Sequence, residues 1–157
     1  MKRHQALAPL SRDHHDGLLL AVRLQQGKQA LPRLWSHDPL WQADYVVKFY
    51  DRHLVPHFEA EEKVLFPVAA RYMKEGNVII RQLLHEHEEM RTSIKFFRHP
   101  EEEKLERNLE QFGKLLESHI RCEEREFFPM CEEIIPEEEF INAQSFMVRY
   151  DKKGNES

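Results

Sequence analysis

Two stretches of the chain repeat one pattern of chemically capable side chains: HFEAEEKVLFP at 57–67 and HIRCEEREFFP at 119–129. Each sets a histidine, three further residues, a pair of glutamates and then an aromatic-Pro stop. On an α-helix, residues four apart lie on one face, so each stretch can aim an imidazole nitrogen and a carboxylate at the same point. Such a mixed donor set suits iron, manganese or zinc. The chain carries ten histidines in 157 residues, an excess that a shared site would account for.

The elements that must position these groups are helical. Five glycines, 41% hydrophobic and 32% charged residues suit a helical protein rather than an all-β fold with many tight turns. The pattern predicts four long amphipathic helices over about 10–26, 40–74, 77–98 and 101–133, then a short one near 137–148. Residues 1–149 form one domain, and the polar end at 150–157, closing in DKKGNES, is expected to be disordered. Gly27 and the Pro32–Pro39 segment end the first helix, Gly76-Asn77 separates the second from the third, and His99-Pro100 the third from the fourth. Ser11 reads as the first helix's N-cap and Asp38-Pro39 as the start of the second. Pro56, Pro67 and Pro129 fall inside helices, where bends are expected. Short connections make sequence neighbours antiparallel, giving an all-α, up-down-up-down four-helix bundle.

At about 100° per residue the inward direction of each helix can be found. His57 shares a stripe with Val46, Tyr50, Leu54, Glu61, Val64 and Val68. His119 shares one with Leu105, Phe112, Leu115, Leu116, Glu123 and Met130. His14 lies with Leu7, Leu10, Leu18 and Ala21, and His87 with Ile80, Leu83, Leu84, Met90 and Ile94. Glu62 and Glu124 fall off the stripes, toward the rim, and His85 points away. A one-residue slip in the first helix would exchange His14 for His15. A solvated acidic face is the competing reading of the glutamate pairs, and the stripes oppose it.

Six polar side chains in one core are costly unless something pairs them. A metal centre removes that cost. With no inward cysteine a structural zinc site is disfavoured, whereas inward carboxylates in the middle of a four-helix bundle are how di-iron and di-manganese sites are built. Cys122 and Cys131 are too far apart along one helix for an easy disulfide, and Cys122 reads as a small packing residue. A net charge of −5 argues against nucleic acid and anionic membrane as partners. No apolar run approaches the ~20 residues of a membrane span, and the start of the chain has no signal-peptide core. The expected location is the cytoplasm.

The stretches LSRDHHDGLLLA, HFEAEEKVLFP, LLHEHEEMR and SHIRCEEREFFP, which run from Leu10 to Pro129, together resemble the haemerythrin-like family, the HHE cation-binding domain, over about residues 7–133. The resemblance implies ligands His14, His57, Glu61, His87, His119 and Glu123, with Glu61 and Glu123 bridging two non-haem irons and an oxo, hydroxo or water bridge between them; manganese and zinc are the alternatives. His15, His53 and Glu124 remain as further candidates. Two positions depart from the oxygen carriers of the family. Leu83 stands where they have a second third-helix histidine, and the fourth helix offers Glu123 and Glu124 where they have an aspartate five residues after the histidine. His53 could supply the missing nitrogen or support His57. The implied function is binding or reacting with dioxygen, nitric oxide or peroxide in sensing or stress defence, with an iron-storage or iron-responsive module as the alternative. The resemblance favours a metal and oxygen binder over a dedicated enzyme, with weak peroxidase or catalase-like activity open. Tyr50, about two turns before His57, is either packing or a hydrogen-bond donor to a bound ligand.

Overall fold

The computed structural model describes residues 2–26, 35–74 and 77–156, with side chains as far as Asp151. Gly27, Pro32 and Gly76 lie outside the described residues. Within them the chain is helical and has no strand. Helix α1 is Ala8–Gln26; α2 spans residues 39–72; α3 is Ile79–Arg98; α4 spans residues 102–134; α5 is Glu137–Glu156. Helix α1 starts earlier than expected. Leu7 and Ala8 N–H groups already donate to the His4 carbonyl, and Ser11 N–H donates to Leu7 O at 3.0 Å, so Ser11 is inside the helix and is not its cap. Pro9 causes no conflict in the first turn, where its missing N–H is not needed. Asp38 does cap α2, accepting from Leu40 N–H at 3.1 Å. Helix α5 continues past 148 to Glu156, through the segment expected to be disordered. No proline or glycine interrupts it before Gly154, and Phe140, Ala143 and Met147 seat it on the core.

The three internal prolines do not break their helices. Each is preceded by a five-residue π-helical turn: Tyr50–Leu54 before Pro56, Glu61–Leu65 before Pro67, and Glu123–Phe127 before Pro129. A proline ring clashes with the carbonyl four residues back. Here the residue just before each proline reaches one further: Val55 N–H bonds Tyr50 O, Phe66 bonds Glu61 O and Phe128 bonds Glu123 O. The expected bends are therefore π turns, which insert one residue into the helical repeat. Below Glu61 the buried residues become Leu65, Phe66 and Ala69 in place of Val64 and Val68, and below Glu123 they become Phe127, Phe128 and Cys131 in place of Met130. Leu84, also expected inside, is 36% exposed.

The neighbours run antiparallel. Asp51 pairs with Arg98 and Glu62 with His87 between α2 and α3, and Glu86 pairs with His119 between α3 and α4. Helices α1 and α4 approach at two glycines. A Cβ on Gly17 would meet only the mobile tip of Ile120, but one on Gly113 would meet the Ala21 carbonyl oxygen at 2.8 Å and Leu24 Cβ at 2.9 Å. Gly113→Ala is therefore expected to destabilise the fold by about 1–3 kcal/mol, despite the ~1 kcal/mol that alanine gains in an open helix. Denaturant melts showing a stabilised variant would contradict this close approach.

Two apolar clusters fill the bundle. One contains Leu20, Leu24, Trp35, Val46, Phe58, Ile94, Phe112 and Leu116, and the other Leu7, Leu10, Leu65, Phe66, Leu83, Phe127, Phe128 and Phe140. A polar layer lies between them.

Candidate metal centre

The layer is made of the six side chains that the stripes point inward. His14, His57, Glu61, His87, His119 and Glu123 are each 4% exposed or less. Glu61 and Glu123 open the π turns of α2 and α4, so each sits one helical turn from its histidine while the chain below is rephased to bury phenylalanines. Glu123 Oε1 lies 3.0 Å from His119 Nε2 and 3.4 Å from His14 Nε2. Glu61 lies 3.3 Å from His87 Nε2 and 3.5 Å from His57 Nε2. Despite this closeness, both oxygens of both glutamates and Nε2 of His14, His87 and His119 have no hydrogen-bond partner. Leaving one buried polar group unpaired costs about 1–3 kcal/mol. Concentrating seven such atoms in one layer is the pattern of donors arranged for a cation. The donor atoms form two groups of four, His14, His57, Glu61 and Glu123, and Glu61, His87, His119 and Glu123, each with its atoms within 4.8 Å of one another. The two glutamates belong to both groups.

The far nitrogen of every histidine is held by a carboxylate from a neighbouring helix. Asp13 of α1 takes His57 Nδ1 at 3.0 Å, Glu62 of α2 takes His87 at 2.7 Å, Glu86 of α3 takes His119 at 2.8 Å, and Glu124 of α4 takes His14 at 2.7 Å. The four bonds close a ring around the bundle. Each carboxylate accepts from Nδ1–H and turns Nε2 inward, the nitrogen that a bound cation would take in place of a proton. Arginines anchor two members of the ring: Arg91 on Glu62 at 2.5 Å and Arg3 on Glu124 at 3.0 Å. Phe58 stacks on His87 at 3.8 Å and Phe128 on His14 at 5.3 Å, so aromatic rings cover the imidazoles.

Burial opposes charge on Glu61, His119 and Glu123. For Glu61, burial and the neighbouring Glu123 carboxylate raise the pKa from 4.5 to about 8. Burial disfavours a charged His119, but Glu123 and Glu86 outweigh it and raise the pKa to about 10. Burial would also raise Glu123, yet the adjoining Glu61 carboxyl and the positive charge that His119 can carry bring it well below the usual range. Burial and Glu126 push the Cys122 thiol up to about 12, which suits a packing role rather than a reactive thiolate.

The further candidates do not join the layer. His15 is exposed. His53 is exposed too and packs its ring on Phe49 at 5.0 Å, so it does not replace the nitrogen missing at Leu83, which is fully buried in the lower core. Glu124 faces His14 Nδ1 and not the central cluster. The Tyr50 hydroxyl lies beside Arg91. Reading the stripes alone misses Asp13 and Glu86 and leaves Glu62 and Glu124 at the rim. The signal was present, since each of these acids is the immediate sequence neighbour of an inward residue.

Among the described residues no helix is long and apolar enough to cross a membrane. No curated protein and no solved structure matches the chain. The family model of the hemerythrin HHE cation binding domain matches residues 6–131, a stretch that holds all six inward side chains and the four acids that brace them. With well over half of its length so matched, the chain belongs to the hemerythrin HHE cation binding domain family.

Proposed function

We propose that this chain is a non-haem di-iron protein that binds or reacts with dioxygen, nitric oxide or peroxide in sensing or stress defence. The observation that carries the reading is the composition of the two donor groups: each has two imidazoles, and both use Glu61 and Glu123. In this reading His14 and His57 hold one ion, His87 and His119 the other, and the glutamates bridge them together with an oxygen from water. Manganese or zinc would fit the same donors. Bound iron would supply coordination positions and electrons for the small molecule. The chain's own part is to fix that chemistry in place. Asp13, Glu62, Glu86 and Glu124 hold the imidazole tautomers, the two central carboxylates balance charge, and Phe58, Phe66 and Phe128 exclude water. Two free cysteines would stay reduced in the cytoplasm, which we take as its location.

Four histidines give fewer nitrogen ligands than the oxygen carriers have, because Leu83 adds an apolar side chain where they have an imidazole. That favours reaction or sensing over reversible carriage, and binding over dedicated enzyme turnover. The test is anaerobic reconstitution with ferrous iron, followed by metal analysis and exposure to oxygen. Binding of about two irons per chain is expected, with prompt conversion of the spectrum on oxygenation. Fewer than about one iron per chain would overturn the di-iron reading. Full loading with a long-lived oxygen adduct would overturn the sensing reading in favour of reversible binding, and full loading with no spectral response to oxygen would leave iron storage as the function.

A further inference from the structure

A cavity lies beside the centre, between α1, α2 and α5. It is walled by Leu10 and Asp13 of α1, His57 and Ala60 of α2, and Met147 and Val148 of α5, and has a volume of ≈ 60 Å³. That is several times the ~10–15 Å³ a single water needs. Two of its walls are the Asp13–His57 pair, whose 3.0 Å hydrogen bond belongs to the ring bracing the candidate metal centre. Its third wall is α5, which lies entirely beyond the residues matched by the family model. The inner surface is small and apolar at Leu10 and Ala60, while His53 and Gln144 add polar groups. On the other side of the bundle, Phe58 at 3.8 Å and Phe66 at 5.7 Å stack against His87.

We propose that this cavity is the entrance and holding site through which an uncharged molecule of two or three heavy atoms reaches the centre, with α5 setting its width. The size admits dioxygen, nitric oxide or hydrogen peroxide. Asp13 and Asp151 put two carboxylates in the wall against the single guanidinium of Arg52, a balance that works against a free anion. Helix α5 then does more than cover the core: Met147, 6% exposed, narrows the cavity from inside, and Val148, 38% exposed, stands at its edge. This inference rests on the metal reading for the destination of the molecule, but the cavity itself can be tested without iron.

Two measurements separate these parts. In zinc-reconstituted protein, or in the chain as purified if zinc does not bind, dissolved dioxygen should broaden the methyl resonances of Ala60 and Met147 by paramagnetic relaxation, and Val148→Trp should suppress the Ala60 effect. In iron-loaded protein, Val148→Trp should slow the absorbance change on adding hydrogen peroxide at least tenfold, and Met147→Ala should accelerate it, with iron content unchanged in both. Absence of dioxygen relaxation at Ala60 would overturn the holding site. Peroxide rates within twofold of the parent in both variants would overturn the entrance. Failure to load iron would overturn the metal reading alone and leave the dioxygen measurement to decide the cavity.

Discussion

On the di-iron reading proposed above, Glu61→Ala is expected to abolish binding of both ions at once, whereas His57→Ala abolishes binding of about one. Glu61 offers its two oxygens to both donor groups, with His87 at 3.3 Å and His57 at 3.5 Å. Its loss takes one donor from each group and leaves a cluster of imidazoles around a single carboxylate. His57 stands in only one group. Metal analysis after iron reconstitution and desalting should find below about half an iron per chain for Glu61→Ala and about one for His57→Ala. The equivalent Glu123→Ala should behave like Glu61→Ala. Circular dichroism would show that each variant remains helical. A folded Glu61→Ala protein with full iron content would refute the assignment of Glu61 as a shared ligand.

The second large effect is on stability. The bare centre contains seven buried donor and acceptor atoms with no hydrogen-bond partner and a pair of adjacent carboxylates, one of which is pushed up to about 8 by burial and its neighbour. A ligand present at about a thousand times its dissociation constant stabilises the folded state by about 4 kcal/mol. For a chain of this size each kcal/mol moves Tm by about 2–4 °C. Stripping the metal with a chelator is therefore expected to lower Tm by about 8–16 °C. Buried ionic groups replaced by well-packed apolar ones are often neutral or stabilising. The double variant Glu61→Leu, Glu123→Leu should accordingly melt above the metal-free parent and ignore the chelator. Calorimetry that found the double variant less stable than the metal-free parent would show that the glutamates stabilise the bare fold.

How much of this could be read from the amino-acid order depends on where the 3.6-residue repeat holds. Above the centre it is interrupted only at Tyr50–Leu54 of α2, and Val46, Tyr50 and Leu54 stay buried across that turn, so the inward direction of His14, His57, His87 and His119 was legible, and with it the position of Glu61 and Glu123. Below the centre it is interrupted. Pro67 and Pro129 marked the place, but a bend was the obvious expectation, and the π turns instead rotate the helix by one residue. That exchanged Val64 for Leu65 and Met130 for Phe127 and Phe128. The bracing acids were hidden for a different reason. A helical stripe says which side chains point into the core, but not which neighbouring helix a flanking side chain will reach. The end of α5 was misread because polar composition describes solubility, whereas helix continuation is decided by the contacts of Phe140, Ala143 and Met147 upstream.

The ring of carboxylates has a sense of circulation. In α1 and α3 the acid precedes the inward histidine, as Asp13-His14 and Glu86-His87; in α2 and α4 it follows the inward glutamate, as Glu61-Glu62 and Glu123-Glu124. One residue is about 100° of rotation, and α1 and α3 run opposite to α2 and α4. A step backward on an ascending helix and a step forward on a descending one therefore turn the same way when seen from one end of the bundle. All four acids are displaced in that one direction, each onto the next helix: α1 to α2, α2 to α3, α3 to α4, and α4 to α1. In a bundle of the opposite hand, with the same helices in the same antiparallel order, each acid would face the previous helix and miss its histidine. The placing of four acids before or after their inward neighbours thus selects one of two mirror arrangements that hydrophobic stripes alone leave equivalent.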